Sequence, residues 1–394
     1  MNVRAPSQNA HRRAGVPDYS IMVTALALVV VGLVFVYSSS FAIALAEFDN
    51  TDYFLVRQTM AALIGLGLMF GLMRFDYRHL SGISPVLMLA AVVSLGAVLF
   101  VGNDAYGARR WIPMGPLPAF QPSEFAKLAL IIYISAWLAS SRRDIKSLSS
   151  GFAPFIMSVG VVAGLILLEP DTGTAFIAVA TTAALFFLAG ASFTHLFTLL
   201  AAGAVAGALL VAGGGYRNDR IFAFLSPHDD PTGVGFHTLQ LLIALGSGGL
   251  EGLGLGVSRQ KFFYIPGAHT DGVFAIIGEE TGFIGALLVI GLFAYLVYRG
   301  FKVALNARDD FGCYLAMGVV CWIGFQAMVN IGGITRSIPL TGIPLPFVSY
   351  GGSSLIMTMA AVGLLLNVSR YGRDKQFSER PDRRKLRARA AAGT

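Results

Sequence analysis

Apolar runs of about 17 to 25 residues recur along this 394-residue chain, separated by short charged or Gly/Pro-rich joints. A helix of about 20 apolar residues crosses a bilayer and keeps its backbone hydrogen bonds to itself, as hydrocarbon demands. Apolar residues make up 55% of the chain and charged residues 13%, a balance that a water-soluble core cannot use up. Spans are expected near residues 20–42, 58–74, 84–101, 124–140, 152–168, 173–190, 193–213, 272–298, 312–332 and 349–368. The expected fold is an all-α polytopic membrane protein of about ten transmembrane helices, with little room for a soluble domain.

The placement of Lys and Arg sets the orientation. Arg4, Arg12 and Arg13 precede the first span, Arg74 and Arg78 follow the second, Arg142, Arg143 and Lys146 the fourth, and Arg299, Lys302 and Arg308 the eighth. With these joints inside, both termini are cytoplasmic: a basic segment 1–19, a membrane domain 20–368 and a basic tail 369–394. The first apolar run is too long for a cleaved leader despite the small residues Ala44-Leu45-Ala46, so it is expected to stay as a span. The formal charge of +7 is thus a topology signal before it is a nucleic-acid signal, and no nucleic-acid partner is expected. Cys313 and Cys321, about 12 Å apart along one helix, cannot pair with each other. No Cys or His spacing suggests zinc or haem.

The outer side then holds the unusual patterns, including a long loop at 214–271 between the seventh and eighth spans. Arg109, Arg110, Arg217, Arg220, Arg259, Lys261 and Arg336 lie there against the orientation rule, so an anionic partner is expected, either membrane lipid headgroups or a phosphate-bearing lipid substrate. Lys127 shares a helix face with Glu124 inside the fourth span, as a functional cavity or a structural ion pair. Asp271 precedes the eighth span, where it could cap the helix or act as a general base. Glu279 and Glu280, two turns deeper, are expected in a packed polar network. The segment Ile338 to Phe347 carries three prolines and a glycine and must be sheltered by protein. The small residues from Ser349 to Ser354 suit close helix approach. The glycines from Gly246 to Gly256 suggest a tight or re-entrant loop. His228-Asp229-Asp230 reads as a solvated turn before it reads as a metal site.

Taken together these motifs resemble the SEDS family of peptidoglycan glycosyltransferases (FtsW, RodA, SpoVE). They are Tyr37-Ser38-Ser39, Gly107-Ala108-Arg109-Arg110-Trp111-Ile112, Gln121-Pro122-Ser123-Glu124-Phe125-Ala126-Lys127, Pro170-Asp171-Thr172-Gly173-Thr174, Ala268-His269-Thr270-Asp271 with Gly278-Glu279-Glu280, and Thr341 through Ser354. The resemblance implies that Asp271 is the essential loop aspartate, acting as catalytic base. It implies polar cavity positions at Arg109, Glu124 and Lys127, and substrate contacts at Arg217, Arg259, Lys261 and Ser349 are expected with them. The implied substrate is lipid II, polymerised with inversion at the outer face of a bacterial cytoplasmic membrane. The diphosphate's charge would be met by these cations, assisted by a divalent cation such as Mg2+ or Mn2+, with no organic cofactor. The implied partner is a class B penicillin-binding protein, within a division or elongation assembly. The wording around Gln121 and Ser258 and the basic extensions favour the FtsW type. The chain departs from the family's usual wording at Gly267, Gly272, Phe236-His237, Glu169 and Thr335-Arg336-Ser337. The rival readings are a lipid II flippase or transporter, which needs access from both sides, and a non-catalytic division scaffold, which does not need Asp271.

Overall fold

The computed structural model describes residues 15–105, 108–115, 117–140, 145–213, 216–262 and 264–372, apart from the side chains at 103–105, 108, 210, 211, 216 and 217. The basic segments 1–14 and 373–394, and the joint at Arg142 and Arg143, lie outside the described residues.

Twelve α-helices are described: α1 (Tyr19–Phe48), α2 (Tyr53–Arg74), α3 (Arg78–Val101), α4 (Pro122–Ala139), α5 (Ala153–Leu168), α6 (Thr172–Leu188), α7 (Phe193–Ala212), α8 (Tyr216–Leu225), α9 (Phe236–Ser247), α10 (Val273–Leu305), α11 (Asp310–Ile334) and α12 (Gly352–Arg370). All ten expected spans fall on helices. Eight stretches are long and apolar enough to cross a membrane, while α6 and α7 give shorter apolar stretches. Local chemistry starts several of them. Asp18 accepts from Ser20 N–H (3.1 Å) before α1, Asp171 from Thr174 N–H (3.0 Å) before α6, and Asp309 from Gly312 N–H (2.8 Å) before α11. Pro122 stands in the first turn of α4, where its missing N–H costs nothing.

The core gathers around three helices. The apolar windows of α4, α11 and α12 are 78%, 72% and 78% buried, against 28% for α2, α3 and α10, whose outer faces are left for lipid. α12 packs along α2 so closely that a Cβ at Gly363 would lie 2.6 Å from the Met69 carbonyl oxygen. At the end with the basic joints, Asn367 Nδ2 donates to the Leu72 and Met73 carbonyls (2.7 and 3.0 Å) and to that of Phe75, finishing α2. Arg299 pairs with Asp18 at 2.6 Å and ties α10 to the start of α1.

The opposite end is where the fold exceeds the all-helical expectation. The joint between α3 and α4 is a small antiparallel sheet, β1 (Asn103–Ala105), β2 (Ala108–Met114) and β3 (Leu117–Phe120), in that order. The 214–271 loop is itself partly helical, containing α8 and α9. Its glycine stretch turns against the middle of α10, which breaks at Gly282 (φ 67°, ψ −167°). Leu253 and Gly254 N–H donate to the Glu279 and Glu280 carbonyls, and Phe283 and Ile284 N–H donate to the Gly249 and Leu250 carbonyls. The broken helix and the loop therefore satisfy each other, which permits irregular backbone at membrane depth. Leu250, Leu255 and Val257 remain exposed on this loop.

Candidate active site

The apolar Pro-rich segment between α11 and α12 cannot pair its carbonyls within itself, and three polar side chains do so instead. Arg220 Nη1 of α8 donates to the Leu340 carbonyl (3.1 Å), Asn330 Nδ2 of α11 to that of Ile343 (2.8 Å), and Gln326 Nε2, one turn earlier, to that of Pro344 (2.9 Å). Arg336, in the left-handed region (φ 54°), donates from Nε and Nη2 to the Phe224 and Leu225 carbonyls (2.9 and 3.1 Å), which joins the end of α8 to this segment.

Asp271 is half-buried beside it. It does not cap α10: the position before that helix is Gly272, and no side chain accepts from the first turn. Its carbonyl accepts from Asn330 Nδ2 (3.0 Å), and its Oδ1 lies 3.1 Å from the Thr270 hydroxyl. Gly267, at φ 66°, makes room for this fold-back, since a Cβ there would sit 2.7 Å from Asp271 Oδ1. Carboxylate and guanidinium converge on Gly342 (φ 73°), where an added methyl would meet Arg220 Nη2 at 3.0 Å and Asp271 Oδ2 at 3.5 Å. His237 of α9 faces the same pair with its Nε2 buried and unpartnered. Burial holds its imidazole below the ordinary range; Asp271 opposes that and Arg220 adds to it. Burial alone pushes His269 down to about 4. Its ring packs on Phe54 (4.5 Å) and Tyr350 (5.5 Å), and its carbonyl accepts from Tyr350 N–H (2.8 Å).

The other expected residues fall into separate places. Glu124 and Lys127 form a buried ion pair (2.8 Å) whose ammonium also donates to Gln326 Oε1 (2.9 Å) and lies over Trp322. Through Gln326 this pair reaches the Pro-rich segment, one link from Asp271. Lys261 is buried in a different network: it pairs with Glu280 (3.0 Å) and donates to the Gly256 carbonyl (2.7 Å), while Ser38 donates to Glu280 (2.7 Å). Glu279 accepts from the Ser258 hydroxyl and from Arg259 N–H (2.9 Å). The packed network expected for Glu279 and Glu280 is there. Ser349 is buried, with its Oγ accepting from Leu345 N–H (2.9 Å). The side chains of Arg109 and Arg259 are exposed, on β2 and in the loop, and that of Arg217 lies outside the described residues, one turn before Arg220. Asp230 accepts from the Gly233 and Val234 N–H groups (3.0 Å each), so His228-Asp229-Asp230 forms a turn. Among the described residues no group of three or more His, Cys, Asp or Glu converges as a metal site requires.

Sequence reasoning counts Arg220 only among the outer-side cations, and it leaves His237, Asn330 and Gln326 out of the site. The signal for the last two was available: polar residues one turn apart inside an apolar span seldom lack a partner.

Fold and site define a multi-pass helical membrane protein with a carboxylate and a guanidinium held over a Pro-rich segment at one end of the bundle. The chain belongs to the FtsW/RodA/SpoVE family of cell cycle proteins, whose profile matches residues 18–374. It is 44% identical over 359 residues to stage V sporulation protein E of Bacillus subtilis, covering 91% of this chain and 98% of that one. It is 40% identical over 356 residues to a probable peptidoglycan glycosyltransferase FtsW of Geobacter metallireducens, covering 89% and 94%. Among solved structures it resembles a chain of a peptidoglycan synthase complex studied for its coordination of polymerization and crosslinking (TM-score 0.74, 31% identity, 90% and 98% covered). It also resembles the rod shape determining protein RodA of Thermus thermophilus (TM-score 0.67, 30% identity, 90% and 97% covered).

Proposed function

We propose that this chain is a peptidoglycan glycosyltransferase that polymerises lipid II into glycan strands, with the sheet end facing outward from a bacterial cytoplasmic membrane. The observation that carries the reading is Asp271, a half-buried loop residue whose backbone carbonyl is held by Asn330 and whose carboxylate is set against Arg220 over Gly342, in a chain of this family. The basic joints at the other end support the orientation.

In this reading Asp271 removes the proton from the 4-hydroxyl of the acceptor sugar as that oxygen attacks the donor's anomeric carbon with inversion. The bond from that carbon to the diphosphate breaks, and undecaprenyl diphosphate leaves with the electron pair. Arg220, whose guanidinium converges with the Asp271 carboxylate on Gly342, meets the leaving group's charge. Lys127, neutralised by Glu124 and buried below the Pro-rich segment, positions that segment and does not touch the diphosphate. Among the described residues the donor set does not build a Mg2+ or Mn2+ site by protein alone. The partner is a class B penicillin-binding protein, and the cellular role is septal synthesis in division, with elongation as the neighbouring role.

The test is lipid II polymerisation by the purified chain with its cognate partner. The unmodified protein makes strands, and Asp271→Asn loses about a hundred- to ten-thousand-fold in kcat while still folded, the range of a lost general base. Equal product from both would overturn the role of Asp271. Lipid II translocation across vesicles without polymer would point to the flippase reading.

A further inference from the structure

His237 is a titratable side chain of the site that the mechanism above leaves without a task. It stands at the start of α9, which is fixed against α10. The buried face of α9 runs through Thr238, Leu241 and Ala244, and a Cβ at Gly278 of α10 would lie 2.5 Å from the Leu245 side chain. Contacts between the two segments advance together, Leu245 on Gly278 and then Gly249 on Phe283, so they run the same way. His237, about 12 Å back along α9 from Leu245, therefore returns to the level of Asp271, just ahead of α10. Its ring is half-buried. Nε2 is closed off from solvent without a hydrogen-bond partner, while Nδ1 is not closed off in that way. The charged groups that face the ring are Asp271 and, on α8, Arg220. The rest of α9 and the segment Ile338 to Phe347 carry no titratable side chain.

A bare imidazole nitrogen near a carboxylate has one consistent arrangement of protons. An Nε2–H would find an acceptor in Asp271, whereas a lone pair on Nε2 meets a carboxylate that only accepts, so nothing bonds them. The resting ring thus carries its proton on Nδ1, and burial and Arg220 both keep it neutral. That changes once Asp271 has taken a proton, because it is then a donor opposite an empty lone pair. We infer that His237 clears the base, carrying each proton that Asp271 collects from the acceptor sugar out to water. The Asp271 O–H bond breaks as Nε2–H forms; the Nδ1–H bond then breaks and its proton passes to water, leaving a carboxylate and a neutral ring. No electrons change hands, and exchange with water returns the ring's proton from Nε2 to Nδ1. Arg220 disfavours the imidazolium, which makes it a passing carrier and not a resting charge. Each added unit delivers one proton to a half-buried carboxylate, and that carboxylate must be empty before the next. The inference rests on the polymerase reading and gives its base an outlet.

The experiment uses the full chain with its partner and the variant His237→Gln, which keeps a planar polar side chain but cannot pass a proton on. In dilute buffer kcat is expected to fall about tenfold or more, with the KM for lipid II within about threefold and the melting temperature that of the parent. Added imidazole should restore at least half of the loss in the variant and leave the parent unchanged, a response that a merely structural defect would not give. Full kcat in the variant, or a loss that imidazole does not relieve, overturns the relay. A second readout needs no turnover: the 15N signals of His237, assigned by their absence in His237→Gln, followed against pH. They are expected to show a bare Nε2 and a protonated Nδ1 at pH 7.5, and a titration that moves to lower pH in Asp271→Asn, where the carboxylate no longer supports the imidazolium. A titration indifferent to Asp271→Asn overturns the relay even where polymer is made. If the unmodified protein makes no polymer, the polymerase reading fails, and the 15N titration still decides whether the two side chains are coupled.

Discussion

Glu169 sits just past α5 at 0% exposure with both carboxylate oxygens unpartnered. Burial and the neighbouring Asp171 push its carboxyl up to about 8, against the pull of Arg110. An unfolded Glu ionises near 4.5, so this group's contribution is present in full below that pH and is lost as pH rises through 8. Glu169→Gln should therefore raise the melting temperature in detergent at pH 7.5, by an amount equivalent to about 1–3 kcal/mol, and change it little at pH 4.5. His269 runs the other way: its folded value of about 4 lies below the ordinary 6.5, so its contribution is present above 6.5 and lost as pH falls through 4. Amide protection around residues 265–272, corrected for the intrinsic exchange rate, should fall as pH drops from 6.5 to 4, and His269→Phe should remove the dependence. Asp271 is singled out in the sequence by resemblance alone, because its local pattern favours a helix cap. Only the fold shows Gly272 in that position.

At the scale of elements, the spans were legible because each had to be apolar throughout, whatever its neighbours. What could not be read was how polar residues inside them are spent. Asn330 and Gln326 look alike in sequence, and only packing shows that they hold up the Pro-rich segment. Asn330→Ala strands the Ile343 carbonyl and frees the loop at Asp271, so kcat should fall about tenfold or more with the KM for lipid II nearly unchanged, at a cost of about 1–3 kcal/mol in stability. The sheet was illegible for a different reason: three short strands in a Gly/Pro-punctuated joint bury too little to leave a periodic pattern. The break in α10 is as dependent on context. A Cβ at Gly282 would lie 2.4 Å from Gly252 N and from the Leu250 carbonyl oxygen, at a φ that disfavours side chains. Gly282→Ala should dislodge the 248–256 loop, seen as protease sensitivity there, while α1 to α6 stay protected.

The whole molecule is tied together across the bilayer by buried polar links between helices distant in sequence. Lys261, Glu280 and Ser38 bring the loop, α10 and α1 into one dry contact. Lys261→Met leaves Glu280 without its cation and should cost about 3–5 kcal/mol, read as a lower melting temperature; adding Glu280→Gln should recover part of it. The Asn330 staple has a further consequence, in biogenesis. Asn330, which holds the Asp271 backbone, and Tyr350, which holds the neighbouring His269, are made after it by the ribosome, whereas Arg220 and Thr270 precede it. A nascent chain that has inserted its first eight spans already carries Asp271 but lacks the Asn330 amide that holds its backbone. On the proposed reading, a product cut short before the Pro-rich segment would insert and make no glycan.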